Sequence, residues 1–411
     1  MSRLLISLIC LQMVFVLNAV GYESGVNCDC SSKCAGYIAK TNEKNLAELP
    51  ESIFSGYQGK HHVQGIVVDV ERKCVYFSFT TKLIKTDFEG NLIGSVDGLT
   101  GHLGCLSLNP VDGRIYGSIE YKNDEIGVGI AGEAARNRRS AFYIAIFDGD
   151  KITRPGMTPF DENLMSTVYL GDVVDDYYAT VINKGKEVDH RYGCSGIDGV
   201  AFAPLPGRQG GDYVLYVAYG IYGDIERTDN DYQLLLSYDV SDWGKFEKPL
   251  NQDNPHESGP KSPLGRYFVY TGNTEWGIQN LNYNPEINAL VAAVYKGKKK
   301  EYPNFSMFAI DLNHMAEKEL LKGYDKNEYD YVLPLKKLGI YDASTGIYGW
   351  RFPDGATGIC YVGNSLCYIS RSSSKPEQSS TLTLYRWTGE SDGPFEKYDC
   401  NNVKYLGNDN N

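Results

Sequence analysis

Beyond its first 20 residues the sequence has no apolar run near the roughly 20 residues a helix needs to cross a bilayer, so membrane insertion is not expected. Basic charge is also short, with 40 Lys and Arg against 52 Asp and Glu and a formal net charge of -12. Nucleic acid is therefore not an expected partner, because binding phosphates requires clustered cations that displace counterions. Histidine is scarce, at six residues, and none lies near Cys28, Cys30 and Cys34, which argues against a zinc centre there. No segment carries the long apolar periodicity of an amphipathic helix. Gly127-Val128-Gly129-Ile130-Ala131-Gly132 has the letters of a dinucleotide loop, but it lacks the strand before it and the acid after it. Gly193-Cys194-Ser195-Gly196 likewise lacks the strand, turn and helix that present a nucleophilic serine.

What is present begins with a leader. Arg3, the apolar run from Leu4 to Leu17, and the small residues Ala19-Val20-Gly21 have the layout of a secretory signal peptide. Residues 1–21 are thus expected to be removed and the mature chain exported to the extracellular space. Cysteine usage agrees with an oxidising compartment. Cys10 falls in the leader, and the remainder are an odd set: Cys28, Cys30, Cys34, Cys74, Cys105, Cys194, Cys360, Cys367 and Cys400. Disulfides are expected, with Cys360 and Cys367 placed to bridge one hairpin and Cys400 to reach the amino-terminal cluster. A Cys-containing segment, 22–60, precedes the main fold at 61–405. Asn304-Phe305-Ser306 is a glycosylation sequon if its Asn faces solvent.

The main fold is read from an internal repeat. Five stretches share a small residue, two variable positions, Gly or Asn, and an apolar run. They are His62 to Ile66, Gly101 to Cys105, Gly196 to Val200, Gly277 to Leu281 and Gly355 to Ile359, the first with His in place of the leading Gly. Turn signals and a second apolar strand follow, as in Asn109-Pro110-Val111-Asp112-Gly113 before Arg114-Ile115-Tyr116-Gly117. Short strands in sets of about four with Gly-rich turns point to an all-β fold, a β-propeller of antiparallel blades, five favoured and six the alternative. Lys122 to Arg139 and Asn251 to Gly265 read as insertions.

The segment His62 to Asp69, then Cys74 to Phe79, then Leu83 to Asn91, resembles a blade of the NHL-repeat and gluconolactonase-like propeller group. The resemblance covers the first blade and bears on architecture more than on function. It implies a divalent cation at the channel mouth, held by Glu, Asp and Asn, although the full ligand pattern of that group is not present. Calcium is the expected ion, because it accepts six to eight oxygen ligands.

In a propeller the innermost strand of each blade lines an axial channel, so residues just ahead of it converge though distant in sequence. Superposing the repeats brings together His62, Gln64, His102, Asp198, Gln279 and Thr357, with Glu275 and Asp354 slightly earlier. Asp198 and Glu275 are the candidate metal ligands. His102 and His62 are the candidate catalytic acid and base, because imidazole titrates near neutrality. Gln64, Trp276, Gln279 and Thr357 are the candidate ligand-binding residues, with Trp276 as a pocket wall. Glu120 to Glu125 reads as a solvated acidic loop. Many of the 32 Tyr are expected to pack between blades, and some to offer a platform for sugars. Two function classes remain. One is a secreted hydrolase or lyase with a cation in the channel, acting on a small-molecule ester, lactone or phosphate or on a glycan. The other is a monomeric, non-catalytic propeller that binds a glycan or a protein.

Overall fold

The computed structural model describes residues 46 and 48–399 apart from 253, so the leader and Cys28, Cys30, Cys34 and Cys400 lie outside the described residues. The chain folds as five antiparallel sheets arranged as the blades of a propeller. A short strand β1 (Ser52–Phe54) comes first. Blade one is β2 (Val63–Asp69), β3 (Cys74–Phe79), β4 (Lys82–Asp87) and β5 (Leu92–Val96). Blade two is β6 (His102–Leu108), β7 (Ile115–Tyr121), β8 (Ala141–Phe147) and β9 (Met165–Tyr169). The insertion between β7 and β8 holds helix α1 (Glu125–Ala131). Helix α2 (Gly171–Tyr178) and the hairpin β10 (Thr180–Asn183) and β11 (Lys186–Asp189) follow. Blade three is β12 (Cys194–Pro204), β13 (Tyr213–Ile221), β14 (Tyr232–Tyr238) and β15 (Gly265–Tyr270). Blade four is β16 (Thr274–Asn284), β17 (Ala289–Lys296) and β18 (Met307–Asp311). The hairpin β19 (Glu317–Leu320) and β20 (Tyr329–Val332) extends the outer edge of blade three, and β21 (Ile340–Asp342) pairs with β22 (Ile347–Gly349). Blade five is β23 (Ile359–Gly363), β24 (Leu366–Ser373) and β25 (Ser379–Trp387), with β26 (Phe395–Lys397) on β25.

The ring is closed by the chain's own beginning. β1 pairs with β25, Ile53 opposite Leu382, so the fifth blade takes its outer strand from residues ahead of position 61. Each blade buries both faces against its neighbours, which is why β3, β8 and β14 read as nearly continuous runs of aromatic and branched residues, all buried. Five apolar clusters fill the five interfaces. The cluster joining Phe77 and Val75 of blade one to Tyr368 and Leu384 of blade five shows that the circle is complete.

Turn chemistry sets the hairpins. In the turn between β6 and β7, Asn109 Oδ1 accepts the Val111 N–H at 2.9 Å and Gly113 takes φ +67°, a left-handed conformation that disfavours a side chain. A bulge between Leu103 and Leu106 then shifts the pairing by one residue, so that His102 faces Glu120.

The expected Cys360–Cys367 bridge is not formed, and both thiols are free and buried. Across β23 and β24, Cys360 faces Tyr368 while Cys367 faces Tyr361, so successive residues put the two sulfurs on opposite faces of the sheet. Among the described residues Cys74, Cys105 and Cys194 are also free. The Asn304 side chain is turned inward, its amide donating to the Lys299 and Tyr302 carbonyls at 2.8 and 3.1 Å. Among the described residues no helix is long and apolar enough to cross a membrane.

Candidate functional site

The repeated Gly or Asn sits within, or just before, the inner strand of every blade. Gly65, Gly104, Gly199 and Asn280 lie in β2, β6, β12 and β16, and Gly358 directly precedes β23. Each glycine packs against the inner strand of an adjoining blade. A Cβ on Gly65 would stand 2.8 Å from the Cys105 backbone, one on Gly104 2.4 Å from Asp198 Oδ1, and one on Gly358 2.8 Å from Ile66. Where the fourth repeat carries Asn280, the amide donates to the carbonyls of Gln64 and Ala356, both at 2.8 Å, and joins three blades. The inner strands of blades one to four also bulge near their first residues, at Val63/Gly65, Leu103/Leu106, Cys194/Gly196 and Glu275/Ile278. A bulge re-aims the flanking side chains, here toward the axis.

The result is a cavity of about 190 Å³ at the starting ends of the inner strands. Its wall includes His62, Gln64, His102, Asp198, Trp276 and Gln279, all named from the repeat. Thr357 and Glu275 are not in that wall: Thr357 Oγ1 bonds the Ser370 carbonyl at 3.2 Å, and Glu275 pairs with Lys298 at 2.6 Å. Asp354 is held by Arg371 at 2.8 Å. The wall also holds Glu120, Lys122, Ser195 and Tyr295. Glu120 and Lys122 correct the expectation of a solvated loop, since Glu120 lies in β7 opposite His102 and both side chains are buried. The register set at the turn would pair His102 with Tyr121, and the bulge between Leu103 and Leu106, which sequence reasoning did not foresee, moves the partner to Glu120.

Charges are concentrated here. Glu120 Oε1 accepts the Ile197 N–H at 2.7 Å, while Oε2 lies 3.6 Å from His102 Nδ1, an ion-pair contact longer than a hydrogen bond. Lys122 Nζ lies 3.0 Å from Asp124 Oδ2, and Asp124 Oδ1 caps α1 by accepting from Ile126 and Gly127. Gly196 at φ +127° leaves room for Glu120, because a Cβ there would lie 1.9 Å from Oε1. Two polar atoms in the wall are buried with no hydrogen-bond partner: His102 Nδ1 and Asp198 Oδ1. Most buried polar atoms of native proteins have a partner, and the two residues that carry these line one cavity.

The imidazoles are driven apart in basicity. Burial opposes charge on His102, but the Glu120 and Asp198 carboxylates outweigh it and raise its pKa above the ordinary 6.5. Burial, then the charge of His102, lowers the pKa of His62, whose Nε2 is 3.1 Å from Gln64 Nε2. Burial pushes Asp198 up to about 7 against the pull of His102, with Glu120 adding repulsion. Burial opposes charge on Lys122 too, and Glu120 and Asp124 reverse the effect. The cavity thus sets an imidazole made less basic by burial beside one made more basic by carboxylates, with a carboxyl pushed up to about 7. Groups whose surroundings separate their pKa values in this way are suited to acting as base and acid.

Trp276 forms the outer wall. It has φ +65°, is 36% exposed, and meets Tyr222 edge to face with ring centroids 5.7 Å apart. A tryptophan in the left-handed region carries strain of about 1–3 kcal/mol, and such strain collects at functional positions. The donor set does not suit a divalent cation. Glu275 is engaged by Lys298, the Lys122 ammonium borders the cavity with Asp198, and among the described residues no group of three or more His, Cys, Asp or Glu stands at metal-holding spacing.

No family model matches the chain, and no curated protein matches it. Among solved structures it is similar to the Dos1 propeller, with 12% identity over 84% of this chain and 85% of that one at a TM-score of 0.31. It is also similar to the calcium-binding protein regucalcin from Agrobacterium tumefaciens, with 9% identity over 83% and 97% at a TM-score of 0.32. The WD40 repeats of RRP9 show 8% identity over 81% and 97% at a TM-score of 0.29. None of these likenesses bears on the chemistry of the cavity.

Proposed function

We propose that the chain is an exported propeller enzyme, a hydrolase or lyase of small molecules, that works by proton transfer between side chains at the channel mouth. His62 is the general base and His102 the general acid. Glu120 is a positioning residue that holds His102 charged, and Asp198 exchanges the proton between turnovers. The observation that carries this reading is that His62, His102, Glu120 and Asp198 line one cavity, with the two imidazoles shifted in opposite directions. The cation that the blade resemblance implies is not part of this reading, because the buried Lys122 ammonium already supplies positive charge to the wall.

The test is turnover of 4-nitrophenyl esters, lactones, phosphate esters and glycosides by wild type and by the His62→Ala and His102→Ala variants at matched melting temperature. One substrate class is expected to be turned over, with either substitution lowering kcat by about 10²–10⁴-fold as for loss of a general acid or base. Added calcium is expected to change neither the rate nor the melting temperature. Equal rates in all three proteins, or turnover that requires calcium, would contradict the assignment.

A further inference from the structure

We infer that the end of the axis opposite the acid–base mouth is a second binding site, for one uncharged apolar molecule about the size of toluene. This site goes beyond the proposed reaction and does not depend on it. A cavity of about 180 Å³ opens where the inner strands end, and its wall shares no residue with the cavity at their starts. All five blades contribute to it from the same place in the repeat. Three positions after the shared Gly or Asn stand Val68, Ser107, Phe202, Tyr283 and Tyr361, and all five are in the wall. Val68 and Phe202 are 5% exposed and Cys360 and Val362 7%, so these core side chains keep open surface, and the cavity is where they show it.

Polar groups in this wall are committed to holding the ring together. Ser107 Oγ accepts the Phe202 N–H at 3.3 Å, Asn282 Oδ1 the Tyr361 N–H at 2.9 Å, and Cys360 Sγ the Val68 N–H at 3.4 Å. Each bond passes from one blade to the next: two to three, four to five, and five to one. The Tyr283 hydroxyl donates to Asn288 Oδ1 at 2.9 Å, and the Tyr361 hydroxyl is buried. Glu71, the one charged side chain in the wall, is exposed. What faces a ligand is therefore mostly the carbon of Val68, Leu108, Phe202 and Val362. An ion would shed its hydration there without a counter-charge, and a polyol would leave hydroxyls unmatched. An apolar molecule sheds nothing of that kind and takes carbon surface out of water on both sides. An apolar cavity of about 150 Å³ is enough to hold benzene, so this one admits a single monocyclic molecule. Among the described residues none of the exposed large apolar side chains belongs to the wall. The apolar surface is thus confined to the recess and does not spread into a patch of the size that docks a protein.

The experiment is calorimetric titration at pH 7 with toluene, benzoate and benzylamine, which share one ring and differ in charge. Toluene is expected to bind at one site with a negative heat-capacity change, the mark of apolar burial, and each charged probe about tenfold or more weaker. Leu108→Phe and Val362→Phe, which fill the cavity from two different blades, are each expected to weaken toluene binding by about tenfold or more. Methyl NMR of the wild type gives a readout that needs no variant to fold: nuclear Overhauser contacts are expected from toluene to Val68, Leu108 and Val362. Absence of toluene binding, stronger binding of either ion, undiminished binding in both filled variants, or contacts confined to the other end of the axis would overturn the inference.

Discussion

Glu120 occupies two positions at once: one oxygen is fixed by the Ile197 N–H of the next blade and the other faces His102. It therefore sets the charge of the acid and its orientation relative to blade three. Gly104 has a comparable part, because Asp198 Oδ1 and Ser118 Oγ occupy the space a side chain would need, at 2.4 and 2.5 Å from its Cβ. Gly104→Ala is expected to destabilise by about 1–3 kcal/mol, as overpacking does, and to displace Asp198 with loss of turnover. Chemical denaturation and the turnover assay on the one variant check both. Asp198 itself gives stability a slope. Its pKa is raised from 3.8 to about 7, so between those values the folded chain holds a proton that the unfolded chain has released, and stability falls as pH rises. The raised His102 acts in the same direction above 6.5. Asp198→Asn is expected to lose its share of this decline, seen as a smaller drop in denaturation midpoint from pH 4.5 to pH 7.5 than in wild type. At this scale most of the wall was legible: His62, Gln64, His102, Asp198, Trp276 and Gln279 all follow from aligning the repeats. Thr357 and Glu275 do not line it, because alignment gives the strand position and not the neighbour, Ser370 or Lys298, that captures the side chain.

Strand ends decide where those residues point. The bulges in β2, β6, β12 and β16 open the ladder as it reaches the axis, and such irregularities leave little trace in a pattern of alternating residues. That is why the repeat located the strands while the buried position of Glu120 and Lys122 was missed. The turn register alone would set His102 opposite Tyr121, and four charged residues in the six from Glu120 resemble a surface loop until the bulge is applied. Helix α1 was obscured for a related reason. Gly127 and Gly129 lower its intrinsic helix preference, yet Gly127 is required by close packing, since a Cβ there would stand 1.7 Å from the Lys122 carbonyl. Asn280 shows how one departure from a repeat can carry structure. Its amide joins blade four to the carbonyls of Gln64 and Ala356, so Asn280→Ala leaves two buried acceptors unpaired and is expected to cost about 1–3 kcal/mol or more. Asn280→Ser, retaining a donor, is expected to cost less, and urea unfolding of the two variants measures the difference.

Closure of the whole ring makes the site possible. His62 belongs to the approach to blade one, His102 to blade two and Asp198 to blade three, and Trp276 and Gln279 come from blade four. Only a circular array with five packed interfaces, sealed by β1 on β25, brings these positions to one cavity. The blade number and the all-β class were readable because each blade restates the same Gly-led strand. The closing strand was not, since Ser52–Phe54 is three residues long and its partner lies more than 300 positions away. The consequence of closure that matters most is the division of the two imidazoles into base and acid. Proton-detected nitrogen NMR of the histidine rings between pH 4 and 9, in wild type and in Glu120→Gln, measures it directly. The account predicts that His62 titrates below and His102 above the ordinary 6.5, and that Glu120→Gln brings His102 down while His62 rises as the neighbouring charge is lost. Two imidazoles titrating together at the ordinary value, with no response of His102 to Glu120→Gln, would contradict it.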